Sequence, residues 1–106
     1  SVTVTVPTGG GLLHCAVAAE IKGASGGTEM IGVNVGTDYA IEGQALDSDN
    51  AALVAVVGTA YPVAPYLGYV AIPVTAGSRT AKLVYSHGNA STTFKNRKLF
   101  VRVETF

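Results

Sequence analysis

Ser1-Val2-Thr3-Val4-Thr5-Val6-Pro7-Thr8-Gly9-Gly10-Gly11 opens the chain, and its alternation sets the fold class. Val2, Val4 and Val6 fall on one side of an extended backbone and Thr3 and Thr5 on the other. This period of two belongs to a strand with one buried face. Pro7 removes a backbone donor and the three glycines favour a turn, so the strand stops there.

The same rhythm runs outward through the chain. Leu13, Cys15, Val17, Ala19 and Ile21 share one face of the next segment, and Gly23 to Gly27 interrupts it. Ile31, Val33 and Val35 line a third strand, ended by Gly36-Thr37-Asp38. A fourth is expected over Tyr39 to Leu46, before the turn-rich Asp47-Ser48-Asp49-Asn50. Ala51 to Val57 is an unbroken apolar run, which fits a strand covered on both faces. Leu67 to Val74 is a sixth strand, put at a sheet edge by Pro73, which has no donor for a second neighbour. Lys82 to Ser86 and Leu99 to Val103 complete a set of about eight. Two segments compete as helices: Leu12 to Lys22 has Leu13, Val17 and Ile21 at i, i+4 spacing, and Ala51 to Val57 follows good N-cap residues. The β-branched content of the second favours strand.

Short strands parted by glycine and polar turns, with no alternating helical segments, predict an all-β fold. The expected architecture is a two-sheet antiparallel β-sandwich, jelly-roll-like, over residues 1–106 as a single domain. Both glycine runs are expected as hairpin loops. Near the C-terminus the alternation changes phase: Phe94 is even-numbered, whereas Leu99, Val101 and Val103 are odd. One regular strand cannot turn all four inward, so a bulge or tight turn is expected within Lys95-Asn96-Arg97-Lys98.

Composition narrows the function. The chain is 48% hydrophobic and only 13% charged, with a net charge of zero. A phosphate-binding face needs excess lysine and arginine, so neither nucleic acid nor an anionic membrane is an expected partner. So low a charge leaves neutral surface of the kind that neighbouring subunits cover. The single cysteine, Cys15, allows no internal disulfide, which suits assembly in a reducing cytosol.

Candidate chemistry is sparse. His14, Cys15 and His87 are the soft ligands, and adjacent His14 and Cys15 point to opposite faces of a strand. No metal site or cofactor is expected. Cys15 with His87 is the one conceivable nucleophile and base, and no serine sits in a nucleophile-elbow context. The chain is read as a non-enzyme without catalytic residues. Asp47-Ser48-Asp49-Asn50 begins like a calcium loop, but Ala52 and Gly58 stand where that loop needs a glycine and a bidentate acid. Lys95, Arg97, Lys98 and Arg102 form the basic cluster, read as solvated turn residues. Asn89-Ala90-Ser91 has the form of a glycosylation sequon. Tyr61-Pro62-Val63-Ala64-Pro65-Tyr66-Leu67-Gly68-Tyr69 concentrates three of the five tyrosines. Tyr61, Tyr66 and Tyr69, with Phe106, are the candidate interface or ligand contacts.

Ala81-Lys82-Leu83-Val84-Tyr85-Ser86 and Thr92-Thr93-Phe94-Lys95-Asn96-Arg97-Lys98-Leu99-Phe100-Val101 resemble the last two strands of jelly-roll modules in tailed-bacteriophage virion proteins. Capsid decoration proteins, head fibres and tail-fibre tips carry such an ending. The resemblance implies a virion component assembled in the host cytoplasm, chemically inert, homotrimeric or otherwise oligomeric, and docked to other virion proteins. A carbohydrate-binding adhesion module on the same fold is the alternative, with the tyrosines stacking on a host glycan.

Overall fold

The computed structural model describes residues 1–22, 27–35, 51–57, 63–86 and 93–106. Seven strands are formed among them: β1 (Val2–Val6), β2 (Gly11–Lys22), β3 (Gly27–Asn34), β4 (Leu53–Val57), β5 (Val63–Val74), β6 (Gly77–Ser86) and β7 (Thr93–Thr105). They make a four-stranded sheet in the order β1-β6-β3-β4 and a three-stranded sheet in the order β5-β2-β7. Every pairing is antiparallel. The expected strand over Tyr39 to Leu46 lies outside the described residues.

The pairings nest. β3 pairs with β4, β2 with β5 around them, and β1 with β6 outermost, the wrap of a long hairpin rolled into two sheets. The all-β sandwich with a jelly-roll-like order is thus the architecture. A consequence is that every connection except β3–β4 passes from one sheet to the other. The glycine run Gly9-Gly10-Gly11 is therefore a crossover between sheets rather than the hairpin loop its composition suggested. Two of its members have positive φ, 98° at Gly9 and 79° at Gly10, and a β-carbon on Gly10 would stand 2.8 Å from the Val74 carbonyl oxygen. Glycine is needed here for tight passage across the sandwich edge. β2 and β3 likewise belong to different sheets, and residues 23–26 of the second glycine run lie outside the described residues.

Alternation decides the core. Leu13, Cys15, Val17, Ala19 and Ile21 of β2 are buried against Ile31 and Val33 of β3, Val6 of β1 and Ile72 and Val74 of β5. Each large aliphatic side chain so buried contributes roughly 1.5–3 kcal/mol of transfer free energy. Glu29 shares the inward parity of Ile31 and is fully buried, engaged with a partner. Both segments that competed as helices are strands. β2 is paired on both sides along its length, and Leu53–Val57 is paired with β3 on one side. Ala51 to Val57, expected to be covered on both faces, instead gives an edge strand. Leu53 and Ala55 face the core while Val54 is 45% exposed. β5 is an edge strand, as Pro73 implied.

The phase change near the C-terminus is a bulge. β2 and β7 stay in register from Gly11↔Thr105 to Ala18↔Lys98, then shift so that Glu20 pairs with Lys95. The extra residue is absorbed where Asn96 adopts a φ of 49°, a left-handed conformation that asparagine tolerates better than most residues. Phe94, Leu99, Val101 and Val103 all pack on the core as a result.

The two sheets meet closely along one edge. The Ala52 carbonyl accepts a hydrogen bond from the Tyr69 amide at 2.9 Å, while the Ala52 amide donates to the Ile31 carbonyl at 2.9 Å. One residue is thereby tied to both layers, and Gly68 makes room for it.

Candidate functional site

β2 is the central strand of the three-stranded sheet, and its even-numbered residues face away from the core. Their neighbours follow from the registers. Across β5-β2-β7 the outer face carries four rows: Pro73–Leu12–Glu104, Ala71–His14–Arg102, Tyr69–Ala16–Phe100 and Leu67–Ala18–Lys98. A solvated sheet face normally holds polar residues at these positions. Here Leu67 is 86% exposed, Phe100 60% and Tyr69 55%. Ala16 and Ala18 sit on the middle strand with larger residues on both flanks, so this half of the face is a shallow trough that begins beside His14. Its upper part is a cavity of about 470 Å³ lined by His14, Ala16, Tyr69, Phe100, Val101 and Arg102. A second hollow continues it past Ala18, Leu67 and Lys98.

One polar chain crosses the trough. The Tyr69 hydroxyl hydrogen-bonds His14 Nδ1, and His14 Nε2 is 2.9 Å from Glu104 Oε1. The rings of His14 and Tyr69 stack at 5.8 Å between centroids. Both partners sit diagonally from His14, one strand away on either side, a distance that long side chains span. Phenol, imidazole and carboxylate in this order would activate a nucleophile inside an enclosed site. On an open face where Glu104 is itself 55% exposed, water competes for each bond. What the chain does here is fix the Tyr69 ring at a set angle above Ala16. Lys98 and Arg102 make no ion pair among the described residues.

Tyr69, a candidate contact from the sequence, thus stands in the trough. Tyr66 emerges on the other side of β5, half-buried and packed against the core, and reaches only the rim of the second hollow. Phe106 is 78% exposed and lies away from the trough, beside Gly9, Gly10 and Thr75. Tyr61, His87, Asp47 to Asn50 and Asn89 to Ser91 lie outside the described residues. The bulge divides the basic cluster. Lys98 and Arg102 join the trough, whereas Arg97 turns the other way, its guanidinium 5.5 Å from the Tyr85 ring centroid and Nη1 donating to the Tyr85 hydroxyl at 3.3 Å. Tyr85 also packs on Phe94 at 4.9 Å, so Arg97 closes a seam between the sheets. Cys15 is fully buried, and burial pushes its thiol up to about 11, which leaves almost no thiolate at neutral pH.

Leu67 and Phe100 were not among the sequence candidates, nor was the bonding of His14 to Tyr69 and Glu104. The signal was present as apolar residues at outward positions of β2, where Leu12, Ala16 and Ala18 alternate with a fully apolar inward set. Without registers, that pattern does not say which side faces water.

A scan of protein-family models, a search of curated proteins and a search of solved structures each return no match to this chain.

Proposed function

We propose that this chain is a non-enzymatic structural module that works by packing its three-stranded sheet against other folded subunits. The observation that carries the reading is the outer face of β5-β2-β7. Three large hydrophobic side chains, Leu67, Tyr69 and Phe100, stand in water on one face of the sheet. The core is filled by other residues, so their exposure has no folding role, and covering them releases transfer free energy of roughly 25 cal/mol per Å². Zero net charge and the low charged fraction support the same reading. So does the unreactive state of Cys15. The resemblance of residues 81–101 to jelly-roll endings supports placing the module in a phage particle, as a capsid decoration or fibre component assembled in the host cytoplasm.

The test is the mass of the chain in solution by sedimentation velocity across a concentration series. The parent chain is expected to self-associate, and an L67S/F100S variant to remain monomeric with an unchanged circular dichroism spectrum. A parent and variant of identical, monomeric mass at every concentration would refute it.

One observation favours a second reading. Tyr69 and Phe100 flank Ala16 with His14 and Arg102 adjoining, and aromatic flanks beside polar groups also suit a sugar ring. Binding of a glycan by the monomer on a glycan array, lost in F100S, would favour this adhesion role over packing.

A further inference from the structure

We infer that the partner seated on the trough is a second copy of this chain, related by a two-fold axis that runs across the strands between the rows Ala71–His14–Arg102 and Tyr69–Ala16–Phe100. The inference rests on the packing role proposed above and specifies its partner and register. Sheets stacked face to face keep their strands within about 30° of alignment, so a symmetric pair has few arrangements to choose from. An axis across the strands sets each strand over its own counterpart with the direction reversed.

In that register every bulky position meets a smaller or complementary one. Tyr69 of one copy lies over Ala71 of the other, Ala16 over His14, and Phe100 over Arg102. One row further out, Leu67 lies over Pro73, Ala18 over Leu12, and Lys98 over Glu104. These pairs follow from the β5-β2-β7 registers alone. Charge agrees with size. Lys98 and Arg102 are exposed and without ion pairs among the described residues. The axis gives Lys98 a carboxylate and lays Arg102 against an aromatic face. Two other symmetric choices fail on the same rows. An axis along the strands sets Tyr69 over Phe100 and Leu67 over Lys98, and it leaves Ala16 facing Ala16 across a void. An axis passing through the Tyr69–Ala16–Phe100 row stacks each ring on its own copy with the same void between.

The area suits a reversible pair. Four rows on three strands, at about 3.3 Å per residue and about 4.8 Å per strand, span roughly 380 Å² per copy in projection, and side-chain relief adds to the accessible surface. Standard interfaces bury about 800 Å² per partner, so the pair belongs at the small end of specific association.

Charge exchange tests the register, because the symmetry places Lys98 of each copy against Glu104 of the other. K98E and E104K are each expected to weaken self-association roughly tenfold. An equimolar mixture of the two restores both pairs in a heterodimer, and K98E/E104K restores them in a homodimer. Sedimentation equilibrium reads all four samples. E104Q, which keeps an oxygen for His14, guards against loss of fold in E104K and is expected to remove most of the dimer's salt dependence. A mixture no tighter than its components, or a dimer indifferent to K98E and E104Q, would overturn the register. A three-copy mass would overturn the two-fold but leave the packing role intact. A chain monomeric at every concentration would overturn both.

Discussion

Gly68 is the residue on which the joint between the two sheets depends, and replacing it with alanine gives a quantitative test of the fold. A β-carbon at this position would stand 2.2 Å from the Ala52 carbonyl oxygen and 2.6 Å from Leu53 Cβ. Neither is the end of a flexible side chain, so β4 must move away from β5 by about 1 Å to reach ordinary contact. Overpacking of this sort costs roughly 1–3 kcal/mol. The displacement also stretches the bond from the Tyr69 amide to Ala52, worth about 1 kcal/mol. The sum is about 2–4 kcal/mol. For a domain of this size that lowers the melting temperature by roughly 10–15 °C. Thermal unfolding followed by far-ultraviolet circular dichroism, with urea titration for the free energy, measures it. G9A is the contrasting case, since Gly9 has nothing within 4 Å of an added carbon but a φ of 98°; it carries a backbone cost of about 1 kcal/mol and no overpacking, whereas G68A carries the reverse. If G68A melts within about 2 °C of the parent, the close approach of Ala52 to Gly68 is not part of the fold.

Two further outcomes follow from single residues. Cys15 ionises at about 11 in the folded chain against 9.0 for a free thiol, so the native state holds the proton more tightly than the unfolded state. That contribution is complete below about pH 9 and is lost as pH rises toward 11, amounting to roughly 2–3 kcal/mol. Urea unfolding between these pH values should show a steeper decline for the parent than for C15A; parallel slopes would contradict it. At the bulge, N96V forces a β-branched residue into a φ of 49° and should cost about 1–2 kcal/mol, while N96G stays within about 0.5 kcal/mol of the parent. Equal costs in urea titration would mean that Asn96 is not held left-handed.

The extent to which the sequence disclosed this molecule depended on which question alternation could answer. The phase change from Phe94 to Leu99 located the bulge because inward-facing side chains admit one parity per regular strand. Pro73 located an edge because it lacks a donor. Strand partners were another matter. Gly9 to Gly11 looks the same whether a chain turns back in its own sheet or crosses to the opposite one, and long-range pairing of β1 with β6 decides that. The trough was hidden for a related reason. The outer side of β2 mixes Leu12, Ala16 and Ala18 with His14, Glu20 and Lys22, and only the neighbours Tyr69 and Phe100 across Ala16 turn it into a surface with a shape. The partners of His14 are illegible in the sequence because Tyr69 and Glu104 lie 55 and 90 positions away in the chain. Tyr61, Tyr66 and Tyr69 stand close together in the sequence, yet β5 begins at Val63 and sends Tyr66 and Tyr69 to opposite faces.

If the outer face of the three-stranded sheet is where this chain meets its partner, that face loses solvent on association. Hydroxyl-radical footprinting of the parent chain at low and high concentration, read residue by residue by mass spectrometry, addresses it directly. On concentration, Leu67, Tyr69 and Phe100 are expected to become several-fold less reactive, while Val54 on the four-stranded sheet and Phe106 keep their reactivity. Protection that falls on Val54 or Phe106 instead, or trough residues unchanged while the mass increases, would contradict the claim.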